Sequence, residues 1–439
     1  MSEYLKQKWQ RSKVFRTVVI VLAVYALLRL AVHGVFLAEV LRSGDLEGHD
    51  LQVYLDAATR MTLRQDLYPS GEMGDWIEFY QYSPAYALAF TVFLHFPIAV
   101  TMTVLSLLHV AAYVLLYWRW DCLFEQLGLA HARDVLAWTL PVWMLFSQFW
   151  ADLGYLNVYI FLALAATLLI EAVLKQQLGW SLLWLAFILQ LKPQWAFALA
   201  LPLLLGHTRF FFKLLLGTAV IYAAILGLTL LIVGPAYGWE QQIEYMRLLS
   251  SISSGNYPWR GPDAPFLGYN HSIAQIVVYL FGISALNLQL ATGIQLLLLL
   301  PLGVIGLRYL WRPPSQIGSE AAEIKLDLAC ALYLGAFIWL DVVWEVTLGI
   351  AVFTYLAATL QSKWARGLVW GVFLAYALLD FWQLVSFLVF GMDIILPGLY
   401  VATDPSIYLP LAMIVILTFY GLLIGRLWKR SYYRGEAAA

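Results

Sequence analysis

Residues 17–28 read Thr-Val-Val-Ile-Val-Leu-Ala-Val-Tyr-Ala-Leu-Leu, and they form the centre of an apolar segment over residues 14–38. A segment of this length can cross a bilayer as a helix, which pairs its own backbone polar groups inside lipid. Similar segments recur along the 439 residues, of which 62% are hydrophobic, and the mean hydropathy is +0.76. The sequence therefore predicts an all-α polytopic membrane protein and excludes a soluble one.

Periodic apolar segments predict a bundle of about twelve transmembrane helices. They lie at residues 14–38, 84–96, 98–118, 135–150, 155–173, 180–206, 211–233, 286–310, 326–340, 343–361, 367–390 and 406–427. Residues 272–283 are expected to form a short re-entrant or interfacial helix, because a further crossing there would place the basic C-terminal tail outside. The N-terminus carries five basic residues ahead of the first span. We therefore expect one integral domain over residues 1–439 in the plasma (inner) membrane, with both termini cytoplasmic.

The first external loop, residues 39–83, concentrates acidic residues. Between residues 39 and 82 it holds nine carboxylates and three arginines, in a chain with only 12% charged residues. An apolar stripe predicts an interfacial helix that begins at Asp50, and the stripe consists of Leu51, Tyr54, Leu55, Ala58 and Met61. Asp50 is either the N-cap of this helix or a general base for an acceptor hydroxyl. Asp45 and Asp56 are the nearest alternatives for the base.

Lys192 is the second unusual residue, since it lies inside the apolar segment 180–206. An ionisable side chain within the membrane is costly and suggests a function. Pro193 follows it and would loosen the helix beside it. Lys192 would then supply a positive charge to a lipid phosphate. The alternatives are a structural pair with a carboxylate and an ammonium group that reaches the interface.

The second external loop, residues 234–285, contains further candidates. Its Pro and Gly residues predict an irregular chain, and Ser272 is expected to cap the short helix that follows. Arg260 and His271 are candidate phosphate or sugar ligands, although an exposed loop arginine is often only solvated. A later external hairpin adds Trp344 and Glu345 on the same side, where Glu345 is either a ligand or a solvated residue.

Other classes of function are not indicated. The net charge of −1 gives no reason to expect a nucleic-acid partner. The carboxylates of the first loop lack the spacing of a metal site, and we expect no metal. The sequence has no Walker loop and no dinucleotide-binding glycine pattern, so it does not indicate nucleotide hydrolysis. Cys122 and Cys330 fit neither a metal site nor a disulfide framework and are expected to be free.

Five short motifs resemble glycosyltransferase family 87. Those of the first loop are Asp50-Leu51-Gln52-Val53-Tyr54 with Ala57-Ala58, Asp66-Leu67-Tyr68, and Tyr80-Gln81-Tyr82-Ser83-Pro84. Leu191-Lys192-Pro193-Gln194 is similar to the mid-chain Lys-Pro motif of that family, and Asn270-His271-Ser272 is similar to its Asn-Gln-Ser ahead of a short helix. The motifs span about residues 50–344 in the order of the family.

The resemblance implies a GT-C fold and transfer of a sugar, mannose in some members, from a polyprenyl-phosphate donor to a lipid or glycan acceptor on the extracytoplasmic face. It implies that Asp50 is the catalytic base. With the residue patterns, it gives a candidate set for donor phosphate and sugar binding: Lys192, Gln194, Arg260, Asn270, His271, Tyr54, Tyr82, Trp344 and Glu345. The lipid-linked donor is a co-substrate, and no separate cofactor is expected.

The chain departs from the family at two positions. The family tends to carry histidine after the tryptophan of its later hairpin, where this chain has Glu345, and its Gly-Gln-x-Asn pattern appears here as Gly154-Tyr155-Leu156-Asn157. Donor or acceptor binding is therefore expected to differ from that of the family.

Two other functions compete with that of a glycosyltransferase. One is a transporter or lipid flippase for envelope glycan precursors, with Lys192 beside its path, and the other is a non-catalytic scaffold. The acidic loop and the lack of evident inverted repeats favour an enzyme.

Overall fold

The computed structural model describes residues 3–43, 50–69, 80–254, 270–311, 319–390 and 410–436, and the regular structure in these ranges is entirely helical. The α-helices are α1 (Glu3–Arg11), α2 (Lys13–Ser43), α3 (Asp50–Leu63), α4 (Pro84–Phe90), α5 (Ile98–Gln126), α6 (Ala130–Trp138), α7 (Leu140–Leu145), α8 (Ser147–Tyr155), α9 (Tyr159–Leu174), α10 (Leu178–Leu191), α11 (Ala200–Leu204), α12 (Thr208–Val233), α13 (Pro235–Ser251), α14 (Ile273–Phe281), α15 (Ala285–Trp311), α16 (Ser319–Trp339), α17 (Gly349–Thr359), α18 (Lys363–Ala377), α19 (Leu379–Phe390) and α20 (Leu411–Glu436). Two 3-10 helices, Thr91–His95 and Pro193–Leu199, lie between them.

Several of the described helices are long and apolar enough to cross a membrane. Five pass this test, namely α2, α5, α12, α15 and Leu411–Ser431 of α20. A sixth candidate joins Leu140–Tyr155 to Tyr159–Leu174, which are bent by 117° at their break. This is the architecture of an all-α, multi-pass membrane protein, as the sequence predicts. The count of twelve stays a prediction, because segments such as 84–96 and 343–361 hold only shorter apolar helices.

The predicted span at residues 180–206 is broken where the sequence indicates a break. Helix α10 ends at Leu191, and Lys192 leaves the helical conformation with φ −139° and ψ 80°. Pro193 has no N–H to continue the helical hydrogen bonds, and the chain passes through a 3-10 helix into α11. The break places Lys192 at the end of an apolar helix, within the protein.

The helix that the sequence predicts from Asp50 is present as α3. Its apolar face is buried, including Leu51, Tyr54, Ala58 and Met61, while Asp56 is exposed. Helix α3 packs on α4 and on the 3-10 helix Thr91–His95. Full burial of side chains such as leucine and methionine contributes about 1.5–3 kcal/mol each. The amphipathic pattern thus fixes which face of α3 meets the bundle and leaves Asp50 at its first turn.

Part of the segment predicted to be the second external loop, residues 234–285, is more regular than the sequence predicts. Residues 235–251 form α13, so the expectation of an irregular chain is wrong for that part, because Pro235 occupies the first turn, where its missing N–H costs nothing. Helix α13 holds the chain after α3, since Gln241 Oε1 accepts from the Leu67 amide at 2.8 Å. The predicted cap is confirmed: the Ser272 hydroxyl accepts from the Gln275 amide at 3.1 Å, at the start of α14.

Candidate active site

Asp50 is held by a side chain from a distant part of the chain. Its Oδ2 accepts a hydrogen bond from Asn157 Nδ2 at 2.7 Å. Burial, and after it the nearby Asp152 carboxylate, raise the pKa of Asp50 to about 7, against the opposing effects of Lys192 and of the Asn157 hydrogen bond. Asp50 is therefore close to half ionised at neutral pH, which suits a group that accepts a proton during a reaction.

The Asn157 amide joins Asp50 to two tyrosines. Its Oδ1 accepts from the Val158 amide at 2.6 Å and from the Tyr54 hydroxyl at 3.1 Å. The Tyr82 hydroxyl lies 3.2 Å from that of Tyr54 and 3.5 Å from the same Asn157 oxygen. Because these donors occupy the amide oxygen, the amide nitrogen is the atom that faces Asp50. Two candidate residues, Tyr54 and Tyr82, are thereby linked to the catalytic candidate through Asn157.

Asn157 lies in the α8–α9 turn (residues 156–158), which has an unusual backbone. Leu156 adopts the left-handed conformation, with φ 54° and ψ 44°, and is only 2% exposed. A non-glycine residue there costs about 1–2 kcal/mol, so the surrounding structure must hold it. Hydrogen bonds to Asp152 help to stabilise this turn. The Asp152 backbone oxygen accepts from the Asn157 backbone amide at 3.0 Å, and its carboxylate accepts from the first amides of α9 at 3.1 and 2.8 Å.

Lys192 enters the same site from the broken helix. Its Nζ lies 5.3 Å from the ring centroid of Tyr82 and 5.5 Å from that of Tyr159. Cation–π contacts of this kind contribute about 0.5–2 kcal/mol each. The ammonium group also interacts electrostatically with Asp50 and favours its ionised form. The site thus combines a carboxylate and an ammonium group beside aromatic rings.

Glu345 reaches the site from the late hairpin (residues 340–348), which connects α16 to α17. It is 8% exposed, and Oε2 accepts from the Thr347 hydroxyl at 3.3 Å. Burial holds the pKa of Glu345 well above its usual range, and the negative charges of Asp152 and Asp50 raise it further. The sequence left Glu345 as either a ligand or a solvated residue, and the structure places it in the interior. Trp344 precedes it in the hairpin.

Asn270 and His271 bind the late hairpin to the rest of the bundle. Asn270 Oδ1 accepts from the Val343 amide at 3.2 Å, and its Nδ2 donates to the Asp341 carbonyl at 3.2 Å. The His271 amide donates to the Val343 carbonyl at 2.6 Å, and His271 Nδ1 accepts from the Ala412 amide at 3.1 Å. These contacts hold the hairpin that carries Glu345, which is a positioning role that the sequence did not indicate.

Two candidates are located less fully. Gln194 lies in the 3-10 helix Pro193–Leu199, two residues after Lys192. Arg260 lies outside the described residues, as does Asp45.

Cys122 and Cys330 are free, as predicted. Within the described ranges, no group of three or more His, Cys, Asp or Glu side chains is arranged to hold a metal ion.

Sequence reasoning does not identify four residues of the site: Asn157, Asp152, His109 and Tyr159. Asn157 appears in the sequence only as the last residue of an incomplete motif, Asp152 lies between the apolar segments 135–150 and 155–173, and His109 lies inside the apolar segment 98–118. The chain matches no known protein family, no curated protein and no solved structure. The interpretation of the site therefore depends on its own geometry and on the short motifs.

Proposed function

We propose that this chain is an integral membrane glycosyltransferase of the GT-C type, related to glycosyltransferase family 87. It transfers a sugar, with mannose as the first candidate, from a polyprenyl-phosphate donor to a lipid or glycan acceptor of the cell envelope. The observation that carries the proposal is the meeting of Asp50, whose pKa is raised to about 7, with Lys192 beside Tyr82 and Tyr159. A base, a cation for a departing phosphate and rings that can stack on a sugar are the groups such a transfer needs.

The reaction is a single displacement at the anomeric carbon. The Asp50 carboxylate takes the proton of the acceptor hydroxyl, whose oxygen forms a bond to the anomeric carbon. The bond from that carbon to the phosphate oxygen breaks at the same time, and the polyprenyl phosphate leaves with the electron pair. Lys192 stabilises the negative charge that develops on the leaving phosphate. Attack opposite to the leaving group inverts the anomeric centre.

The architecture supports a donor that arrives from the bilayer. Lys192 terminates the apolar helix α10, and α3 lies beside the bundle with its apolar face buried. A polyprenyl chain can remain in lipid while its phosphate and sugar enter between these elements. We place the site on the extracytoplasmic face of the plasma (inner) membrane, in a bundle of about twelve spans, on the basis of the charge distribution of the sequence.

The central test is the variant Asp50→Asn, which keeps the shape of the side chain and removes the base. Purified protein in detergent or proteoliposomes is incubated with radiolabelled polyprenyl-phosphate sugars and membrane lipid extract. Removal of a general base lowers a rate by roughly 10²–10⁴-fold, so we expect glycosyl transfer to fall by that factor. The matched variant is Asp56→Asn on the same helix, whose side chain is exposed, and it should transfer at the wild-type rate.

Full transfer by folded Asp50→Asn would remove Asp50 from the role of base. Loss of transfer in Asp56→Asn alone would move the role to the exposed face of α3. If the wild type neither transfers nor hydrolyses any donor in the panel, the glycosyltransferase proposal itself fails.

A transporter or lipid flippase is the second candidate, and one observation favours it. Discontinuous helices with a charged residue at the break are typical of substrate sites in transporters, and α10 is broken at Lys192. The two functions differ in what happens to the donor. A flippase moves a polyprenyl-phosphate sugar across a proteoliposome membrane with the sugar still attached, whereas the enzyme releases polyprenyl phosphate.

A further inference from the structure

His109, on α5, makes two hydrogen bonds that restrict its state. It is 1% exposed, its Nδ1 lies 2.7 Å from the Leu105 carbonyl oxygen, and its Nε2 lies 2.5 Å from the Asn157 carbonyl oxygen. Carbonyl oxygens only accept, and a neutral imidazole can donate from only one nitrogen. Both contacts are satisfied together only by an imidazolium, which donates from both nitrogens.

Asp152 provides the counter-charge for that imidazolium. Its Oδ2 lies 3.7 Å from His109 Nε2, and both side chains are almost fully buried. A buried cation is stable only when it is paired and hydrogen-bonded, and both conditions hold here. The same Asp152 carboxylate accepts from the first amides of α9, so one ion pair binds α5 to both sides of the α8–α9 turn.

We propose that Asn157 is a positioning residue for Asp50, and that the ion pair of His109 and Asp152 fixes the turn from which the Asn157 amide donates to the Asp50 carboxylate. The geometry is over-determined. The turn contains the left-handed Leu156. The backbone amide of Asn157 bonds Asp152 and its backbone carbonyl bonds His109, while the Val158 amide donates to the Asn157 side-chain oxygen. The amide nitrogen is left with one direction, towards Asp50. Only the role of Asp50 as the catalytic base rests on the proposed function; the positioning of its carboxylate does not.

Positioning by Asn157 has an electrostatic consequence for Asp50. A donated hydrogen bond favours the ionised carboxylate, because a protonated oxygen at that place would face an N–H. Among the residues that the structure describes, the ionisable groups that face Asp50 are Tyr54, Tyr82, Tyr86, Asp152, Lys192 and Glu345, with His109 behind Asp152. Loss of the amide removes one of the two stabilising partners, and loss of the imidazolium leaves the Asp152 charge uncompensated. Both changes make Asp50 release its proton at a higher pH.

The test measures the protonation of Asp50 without any glycosyl transfer. A hydrophobic carbodiimide reacts with protonated carboxyl groups, and peptide mapping by mass spectrometry locates the label on Asp50; Asp50→Asn serves as the blank. In Asn157→Ala the pH of half-maximal labelling should rise by about one to two units, since a hydrogen bond to a charged group contributes about 1.5–3 kcal/mol. The matched control is Asn287→Ala, which removes an amide that bonds the end of α14, and its labelling curve should not move.

His109→Gln is the second variant, and it keeps the test decisive if Asn157→Ala does not fold. It should shift the labelling curve in the same direction, whereas His131→Gln, at an exposed histidine, should not. An unshifted curve in either folded site variant overturns the proposal. If the curves shift while Asp50→Asn still transfers sugar, the positioning of Asp50 by Asn157 stands and the role of Asp50 as the base fails. If Asp50→Asn is inactive and the curves do not shift, the role of Asp50 as the base stands and its positioning by Asn157 fails.

Discussion

At the scale of single residues, the site depends on the contrast between two aspartates of one helix. Asp50 meets Asn157 and the charge of Lys192, whereas Asp56 on the other face is exposed. Position on an amphipathic helix is readable from sequence, and it correctly separates these two residues. The role of Asn157 is not readable in this way, because its bond to Asp50 joins residues 107 positions apart. A single sequence contains no signal for such a contact.

The pH dependence of transfer follows from the state of Asp50. Burial raises its pKa to about 7, and a base must be deprotonated to act, so kcat/KM should rise about tenfold per pH unit below 7 and level off above it. The positive charge of Lys192 lowers this pKa, so in Lys192→Met the midpoint should move to higher pH, in addition to any loss of rate. A pH–rate profile of both proteins measures the two midpoints. A profile that falls with rising pH would indicate that Asp50 acts as an acid.

At the scale of elements, breaks in helices follow local chemistry that sequence reasoning partly captures. The break at Lys192 was predicted from Pro193, and the cap of α14 from Ser272. The sequence does not predict helix α13, because Pro235 suggests a loop, although proline is favoured in a first helical turn. The bend between α8 and α9 was also missed, since a left-handed leucine has no signature in sequence.

The end of α9 offers a test of this local chemistry away from the site. Gln176 is exposed and left-handed, with φ 54°, and the amides of Gln176 and Gln177 bond Val173 and Ala172 as in a Schellman motif. Gln176→Gly should stabilise the protein by about 0.5–1 kcal/mol, because glycine adopts this conformation without a steric cost. Thermal unfolding in detergent should show a melting temperature about 1–2 °C higher.

Gln177→Gly is the matched control, since Gln177 has φ −87° and gains nothing from glycine. Its melting temperature should be unchanged or lower. Equal stabilisation by both variants would mean that the left-handed conformation at Gln176 is not the cause. Activity should be unaffected in both, because neither side chain is near Asp50.

At the scale of the whole molecule, long helices connect the site to an opposite, basic end. Helix α20 begins at the contact of Ala412 with His271 and continues to Arg426 and Arg430, which form ion pairs with Asp327. Helix α1 is bonded to α6 through the 2.6 Å ion pair of Lys8 and Asp134. The acidic site and the basic residues therefore lie at opposite ends of the bundle. The separation of acidic and basic residues is predictable from the sequence. The number of helices that span the bilayer is not, because short and broken helices have the same apolar composition as full spans.

The opposite ends of the bundle give a direct test of orientation. Basic residues favour the cytoplasmic side, so the α20 tail should be inside and the end of α3 outside. With Cys122 and Cys330 replaced by alanine, single cysteines are placed at the exposed positions Gln65 and Lys429. A membrane-impermeant maleimide should label Gln65→Cys in intact cells and Lys429→Cys only after permeabilisation, with the cysteine-free protein as the blank. The reverse pattern would place Asp50 in the cytoplasm, and the donor would then have to present its sugar on that face.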